Sequence, residues 1–172
     1  MQATVLSPRG APVPVSVPWL VTGPGEGSRR DAGVPSGQSA AGAIERSQVT
    51  LLVVDDTPSA RYALARGLRK LGFQVLEASN GQQALKLATQ CSAVFLDVRL
   101  PDIAGTDVCR MLRSAPSTCR LPVVHVSSLR PAEHGPDIGD FECADAYLIS
   151  PVDVVFAANL VEDLLRRGRD AS

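Results

Sequence analysis

The sequence predicts an α/β fold: one parallel sheet of five strands with helices on both faces. Three observations predict it. From Val49 onward, short apolar runs alternate with amphipathic stretches of helical period. The runs Val49–Val54 and Ala93–Leu96 are too uniformly apolar for a sheet with a solvated face, so they read as strands buried on both sides. Both end abruptly in acid, the first in Asp55-Asp56 and the second in Asp97. In an open α/β sheet that edge of the strands is where ligands bind.

The chain has 172 residues, enough for one ordinary domain plus an extension. A net charge of -1 and a 45% hydrophobic composition suit a soluble globular protein and argue against a nucleic-acid-binding surface. The longest apolar runs are far short of a membrane span. Pro12, Pro14 and Pro18 interrupt the apolar patch of the N-terminus, so no signal-peptide core is expected and a cytoplasmic location is. Cys91, Cys109, Cys119 and Cys143 include no pair at CxxC spacing. They read as reduced thiols. Zinc is not expected, since His125 falls within a strand run and His134 in a loop-like stretch.

Residues 1–47 hold 7 of the 14 glycines and 6 of the 13 prolines and show no periodicity, so they are expected to be a disordered extension. Ile44 to Gln48 forms a short lead-in, and the folded domain is expected over 48–168, with 169–172 a tail. Val49–Val54 is the first strand. Pro58 then suits the first turn of a helix whose apolar face is Tyr62, Ala65, Leu68 and Leu71, closed by Gly72. Phe73–Ala78 is the second strand. Asn80-Gly81 turns into a helix with Ala84, Leu85, Leu87 and Ala88. The central strand ends at Asp97. A loop through Pro101 and Gly105 leads to a third helix with an inner stripe of Val108, Met111 and Leu112.

Pro122–Ser128 is the fourth strand and Ala146–Ile149 a short fifth. Between them, Gly135, Pro136 and Gly139 leave only a short or broken fourth helix. Val154, Val155, Ala158, Val161, Leu164 and Leu165 give the last helix its apolar face. Right-handed crossovers then favour strand order 2-1-3-4-5, the flavodoxin-like doubly wound sheet.

Three carboxylates at one sheet edge repel one another unless a cation neutralises them. Asp97 is a candidate nucleophile, because a carboxylate can form an acyl phosphate. Asp55 and Asp56 are candidate ligands for Mg²⁺, a hard cation that prefers oxygen. Ser127, ending the neighbouring strand, can offer a hydroxyl to a phosphoryl oxygen.

These residues lie in segments that resemble the response-regulator receiver domain of bacterial two-component signalling. Val53-Val54-Asp55-Asp56-Thr57-Pro58 looks like the family's acidic pair, and Leu96-Asp97-Val98-Arg99-Leu100-Pro101-Asp102-Ile103-Ala104-Gly105 like its phosphoacceptor motif. The resemblance covers about Gln48 to Arg167. It implies phosphorylation of Asp97 by a histidine kinase or phosphotransfer protein. It implies Mg²⁺ held by Asp56, Asp97 and the backbone carbonyl of Arg99, with Asp55 acting through water. It makes Ser127 the switch hydroxyl and Tyr147 the switch aromatic. At one position the chain departs from the pattern: the family's Lys before the fifth-strand proline is Ser150 here. A neutral Ser supplies no cation, and Arg99 is the nearest substitute by sequence.

Two functions follow. The first is a receiver module that relays a signal to a downstream protein partner and is not itself an enzyme in the ordinary sense. The alternative is a degenerate pseudo-receiver that interacts without phosphate, favoured by Ser150 and the damaged fourth helix. A phosphohydrolase with an Asp nucleophile would usually carry a second Asp where Arg99 stands. No output domain follows the last helix before Ser172, so the chain is expected to be a stand-alone receiver or a piece of a larger signalling protein.

Overall fold

In a computed structural model, five parallel strands form one sheet in the order β2-β1-β3-β4-β5. The structure describes residues 44–128 and 143–170. The strands are β1 (Thr50–Val54), β2 (Gln74–Ala78), β3 (Ala93–Asp97), β4 (Val123–Ser127) and β5 (Ala146–Ile149). The helices among the described residues are α1 (Pro58–Lys70), α2 (Gly81–Leu87), α3 (Gly105–Ser114) and α4 (Val154–Asp170). The expectations for most of 1–47, for the fourth helix between the last two strands, and for the final two residues lie outside the described residues.

The predicted strand order and parallel pairing are observed. Every residue of β4 is buried, as are the last four of β1 and the first four of β3. One face of the sheet packs Leu51, Val53, Phe95, Val124 and Leu148 under α1 and α4. The other packs Leu52, Val54, Val94, Leu96 and Val123 under α2 and α3. Phe95, 1% exposed at the centre, is the largest fully buried side chain. Truncating such a residue to Ala costs about 3–5 kcal/mol.

The lead-in is packed structure. Ile44 is 8% exposed against the core, and Arg46–Gln48 makes a turn of 3₁₀ helix. Arg46 donates to Glu162 of α4 at 2.6 Å and lies 5.2 Å from the Phe73 ring centroid. The packed chain therefore starts before Gln48, where composition alone put the change.

Three side chains assigned to inner faces by spacing are exposed. Tyr62 on α1 is 57% exposed, and Leu64 takes a core position there instead. Met111 on α3 is 51% exposed, with Cys109 buried in the stripe alongside Val108 and Leu112. Val155 on α4 is 58% exposed, and Ala157 is buried. In each case the side chain that takes the core position lies two residues away along the helix, and small residues such as Ala157 and Cys109 do not stand out in a hydropathy pattern.

Candidate functional site: an acidic cleft at the sheet edge

β1, β3, β4 and β5 all deliver their last residues to one edge of the sheet. Past β1, Oδ1 of Asp55 accepts the Thr57 backbone N–H at 2.8 Å, which turns the chain into α1. The Thr57 hydroxyl donates to Asp56 Oδ1 at 3.3 Å. Arg61, one turn into α1, donates to the Asp55 carbonyl at 2.6 Å. Asp97 is the final residue of β3, and its Oδ1 accepts the Arg99 backbone N–H at 3.1 Å. Carboxylate oxygens of Asp55, Asp56 and Asp97 lie within 4.8 Å of one another. They border a cleft of about 290 Å³ that Arg99, Ser127 and Ser150 also line.

Burial pushes the Asp97 carboxyl up from the usual range to about 6, and the charges of Asp55 and Asp56 push the same way. The Arg99 backbone N–H and guanidinium pull against this. Asp55 is raised as well, first by burial, with Asp56 adding to it and the Thr57 N–H and Arg61 opposing. The cleft thus holds more negative charge than its own cations balance. Its converging donors are oxygens. That set fits a hard divalent cation such as Mg²⁺.

Ser127 ends β4, is 2% exposed, and follows Val126, the register partner of Asp97 on β3. Its carbonyl accepts the Ser150 backbone N–H at 2.8 Å, so β5 carries Ser150 to the rim. The Ser150–Pro151 peptide is cis. The Arg99 side chain reaches across to donate to Ser128 Oγ at 2.9 Å. Its guanidinium therefore sits at the cleft rim while the residue stays exposed to solvent. Tyr147 lies apart from the cleft lining, on β5 opposite His125, with its ring 4% exposed.

Two residues have roles that spacing did not reveal. Asp102 turns away from the cleft: its carboxylate accepts the Gly81 and Gln82 N–H groups at 2.8 and 2.9 Å, capping α2. Those bonds hold it below the usual carboxylate range. Gly105 donates its N–H to the Val98 carbonyl at 2.9 Å, and a Cβ there would collide with the Asp97 carbonyl. The loop between Asp97 and α3 therefore closes only with a glycine at that point.

The parallel sheet in this order, with an acid cluster at its C-terminal edge, defines a doubly wound α/β module with an acidic site. The family of the response regulator receiver domain matches residues 51–141, and the chain belongs to it. The chain is 37% identical over 123 residues to the transcriptional regulatory protein CusR of Escherichia coli K12, covering 69% of this chain and 52% of CusR. It spans about half the length of the curated relatives it matches. Among solved structures it resembles the signal receiver domain of a signal transduction histidine kinase from Syntrophus aciditrophicus, with 27% identity and a TM-score of 0.60 over 68% of this chain and 89% of that one. It also resembles the response regulator TrrA of Thermotoga maritima in complex with Mg²⁺-BeF, with 26% identity and a TM-score of 0.58 over 68% and 99%. Among the described residues, no helix is long and apolar enough to cross a membrane.

Proposed function

We propose that this chain accepts a phosphoryl group on Asp97 from the phosphohistidine of a histidine kinase or phosphotransfer protein. The observation that carries the proposal is the convergence of Asp55, Asp56 and Asp97 within 4.8 Å around a cleft that also holds Ser127. An Asp97 carboxylate oxygen attacks phosphorus, the P–N bond breaks, and the imidazole nitrogen keeps the electron pair. Asp97 is mostly ionised at neutral pH, as a nucleophile must be. Asp56, Asp97 and the Arg99 carbonyl would hold Mg²⁺, with Asp55 acting through water. The ion supplies positive charge to the transferring oxygens. Ser127 and Arg99 both line the cleft, so the Ser127 hydroxyl would donate to one of those oxygens and Arg99 would offer a cation at the rim.

Phosphorylation would then bias the Ser127–Tyr147 region and the surface offered to a downstream protein. The receiver module, which includes the packed lead-in from Ile44 and all of α4, would act in the cytoplasm with no nucleic-acid contact of its own. The test is a small-molecule phosphodonor with and without Mg²⁺. The parent should gain the mass of one phosphoryl group only with Mg²⁺, and Asp97→Asn should gain none.

One observation favours a pseudo-receiver that works without phosphate: Ser150 lines the cleft where the family places a Lys. No phosphoryl gain by the parent, together with partner binding unchanged in Asp97→Asn, would establish that reading.

A further inference from the structure

On the face of the sheet under α2 and α3, two residues along β4 from Ser127, three soft-ligand side chains meet. Cys109 comes from α3, His125 from β4, and Cys143 from the turn before β5. One ligand atom of each lies within 4.8 Å of the others. Cys143 Sγ stands 3.8 Å from His125 Nε2. Cys109 and His125 are 0% exposed, and Cys143 is half-buried. No CxxC spacing announces this group, because its members are 16 and 18 residues apart in sequence.

We propose that Cys109, His125 and Cys143 form a second metal site, for a thiophilic d¹⁰ cation, Zn²⁺ or Cu⁺. The orientation of the imidazole is the first support. His125 Nδ1 lies 3.3 Å from the Leu96 carbonyl, which can only accept, so Nδ1 carries the ring proton. Nε2 is left as the lone-pair nitrogen, and it faces Cys143. A histidine fixed through its other nitrogen by a backbone carbonyl is the usual setting of a metal-bound imidazole. Distance is the second. With metal–sulfur bonds of about 2.3 Å and metal–nitrogen bonds of about 2.0 Å, ligands of one ion stand roughly 3.5–3.8 Å apart. The Cys143–His125 separation already matches this, and Cys109 needs at most about 1 Å of approach.

Donor chemistry separates this site from the cleft. Two sulfurs and an imidazole select Zn²⁺ or Cu⁺ over Mg²⁺, which the carboxylates suit. Metal binding would release the thiol protons to solvent and replace the hydrogen bonds among the three groups. Half-buried Cys143 supplies the access route.

The test uses the full, reduced chain without oxygen. One arm supplies Zn²⁺ and the other Cu⁺, each against a graded series of chelators, and Co²⁺ serves as a coloured stand-in for Zn²⁺. We expect one ion retained per chain, a thiolate-to-cobalt charge-transfer band, and protection of Cys109 and Cys143 from alkylation. The arm with the tighter retention names the ion. Cys143→Ser should weaken retention about 100-fold or more and abolish the band, whereas Cys119→Ser and Asp97→Asn should change neither. No charge-transfer band with no retained ion in the parent would overturn the site. So would retention and a band that survive Cys143→Ser. Alkylation mapping uses the parent fold, so the outcome does not depend on any variant folding.

Discussion

Asp97 leaves the sheet after four residues that are each 0 or 1% exposed, so its carboxylate emerges half-buried beside two others. Its pKa in the folded chain is about 6, against an ordinary 3.8. Between those values the folded chain binds more protons than the unfolded one, and stability falls as pH rises through that window. The stability tied to the protonated form is complete below 3.8 and gone once pH passes about 6. In metal-free protein, the urea midpoint of the parent should therefore drop from pH 4 to 6 relative to Asp97→Asn. At pH 7 the variant should be the more stable. Parallel curves for the two proteins would show that Asp97 titrates alike in both states. Ser150 sets a second test at this scale. Ser150→Lys should enlarge the amide NMR shifts around Ser127 and Tyr147 on adding a phosphate mimic with Mg²⁺, since charge-assisted contacts are about twice as strong as neutral ones. Equal responses in parent and variant would mean that Arg99, held at the rim by Ser128, already fills the role.

Among elements, α3 is tied at both ends. At its start, a side chain at Gly105 would overlap backbone of Asp97 and Val98. Gly105→Ala should cost about 3 kcal/mol in chemical denaturation and weaken Mg²⁺ binding, because the displaced backbone belongs to Asp97. At its other end, Arg113 donates to the carbonyls of Cys143 and Leu121 at 2.8 and 2.6 Å and pairs with Asp145 at 2.7 Å. Asp145 also accepts the Val123 N–H at 2.8 Å, so one pair of side chains ties α3 to the starts of β4 and β5. Arg113→Ala should cost about 2 kcal/mol, since charged hydrogen bonds are lost and carbonyls lose their partners. A loss within a few tenths would show that water replaces the guanidinium. Nothing in the local pattern marks Arg113, which reads as one more polar position on an amphipathic helix.

Over the whole molecule, the acid cluster makes the fold responsive to a cation. Mg²⁺ bound only by the native state should raise Tm in proportion to its occupancy. Asp56→Ala should remove most of that rise while leaving the sheet intact, because Asp56 is exposed and lies past the end of β1. A Tm indifferent to Mg²⁺ in the parent would count against a metal site at the cleft.

The strand order and the meeting of Asp55, Asp56, Asp97 and Ser127 were legible in sequence because period and punctuation are local properties. A buried parallel strand must be apolar along its whole length, and its end is marked where polar residues begin. Parallel strands with right-handed crossovers then carry every marked end to the same edge. Other features arise only when distant segments pack. Helix phase belongs here, since Tyr62 and Met111 fit an apolar stripe by spacing yet face solvent. So does the turning of Asp102 onto the start of α2. The approach of Cys109 and Cys143 to His125 is the clearest case. Their spacing carries no metal pattern, and only the stacking of α3 on β4 beside β5 brings one ligand atom of each within 4.8 Å of the others.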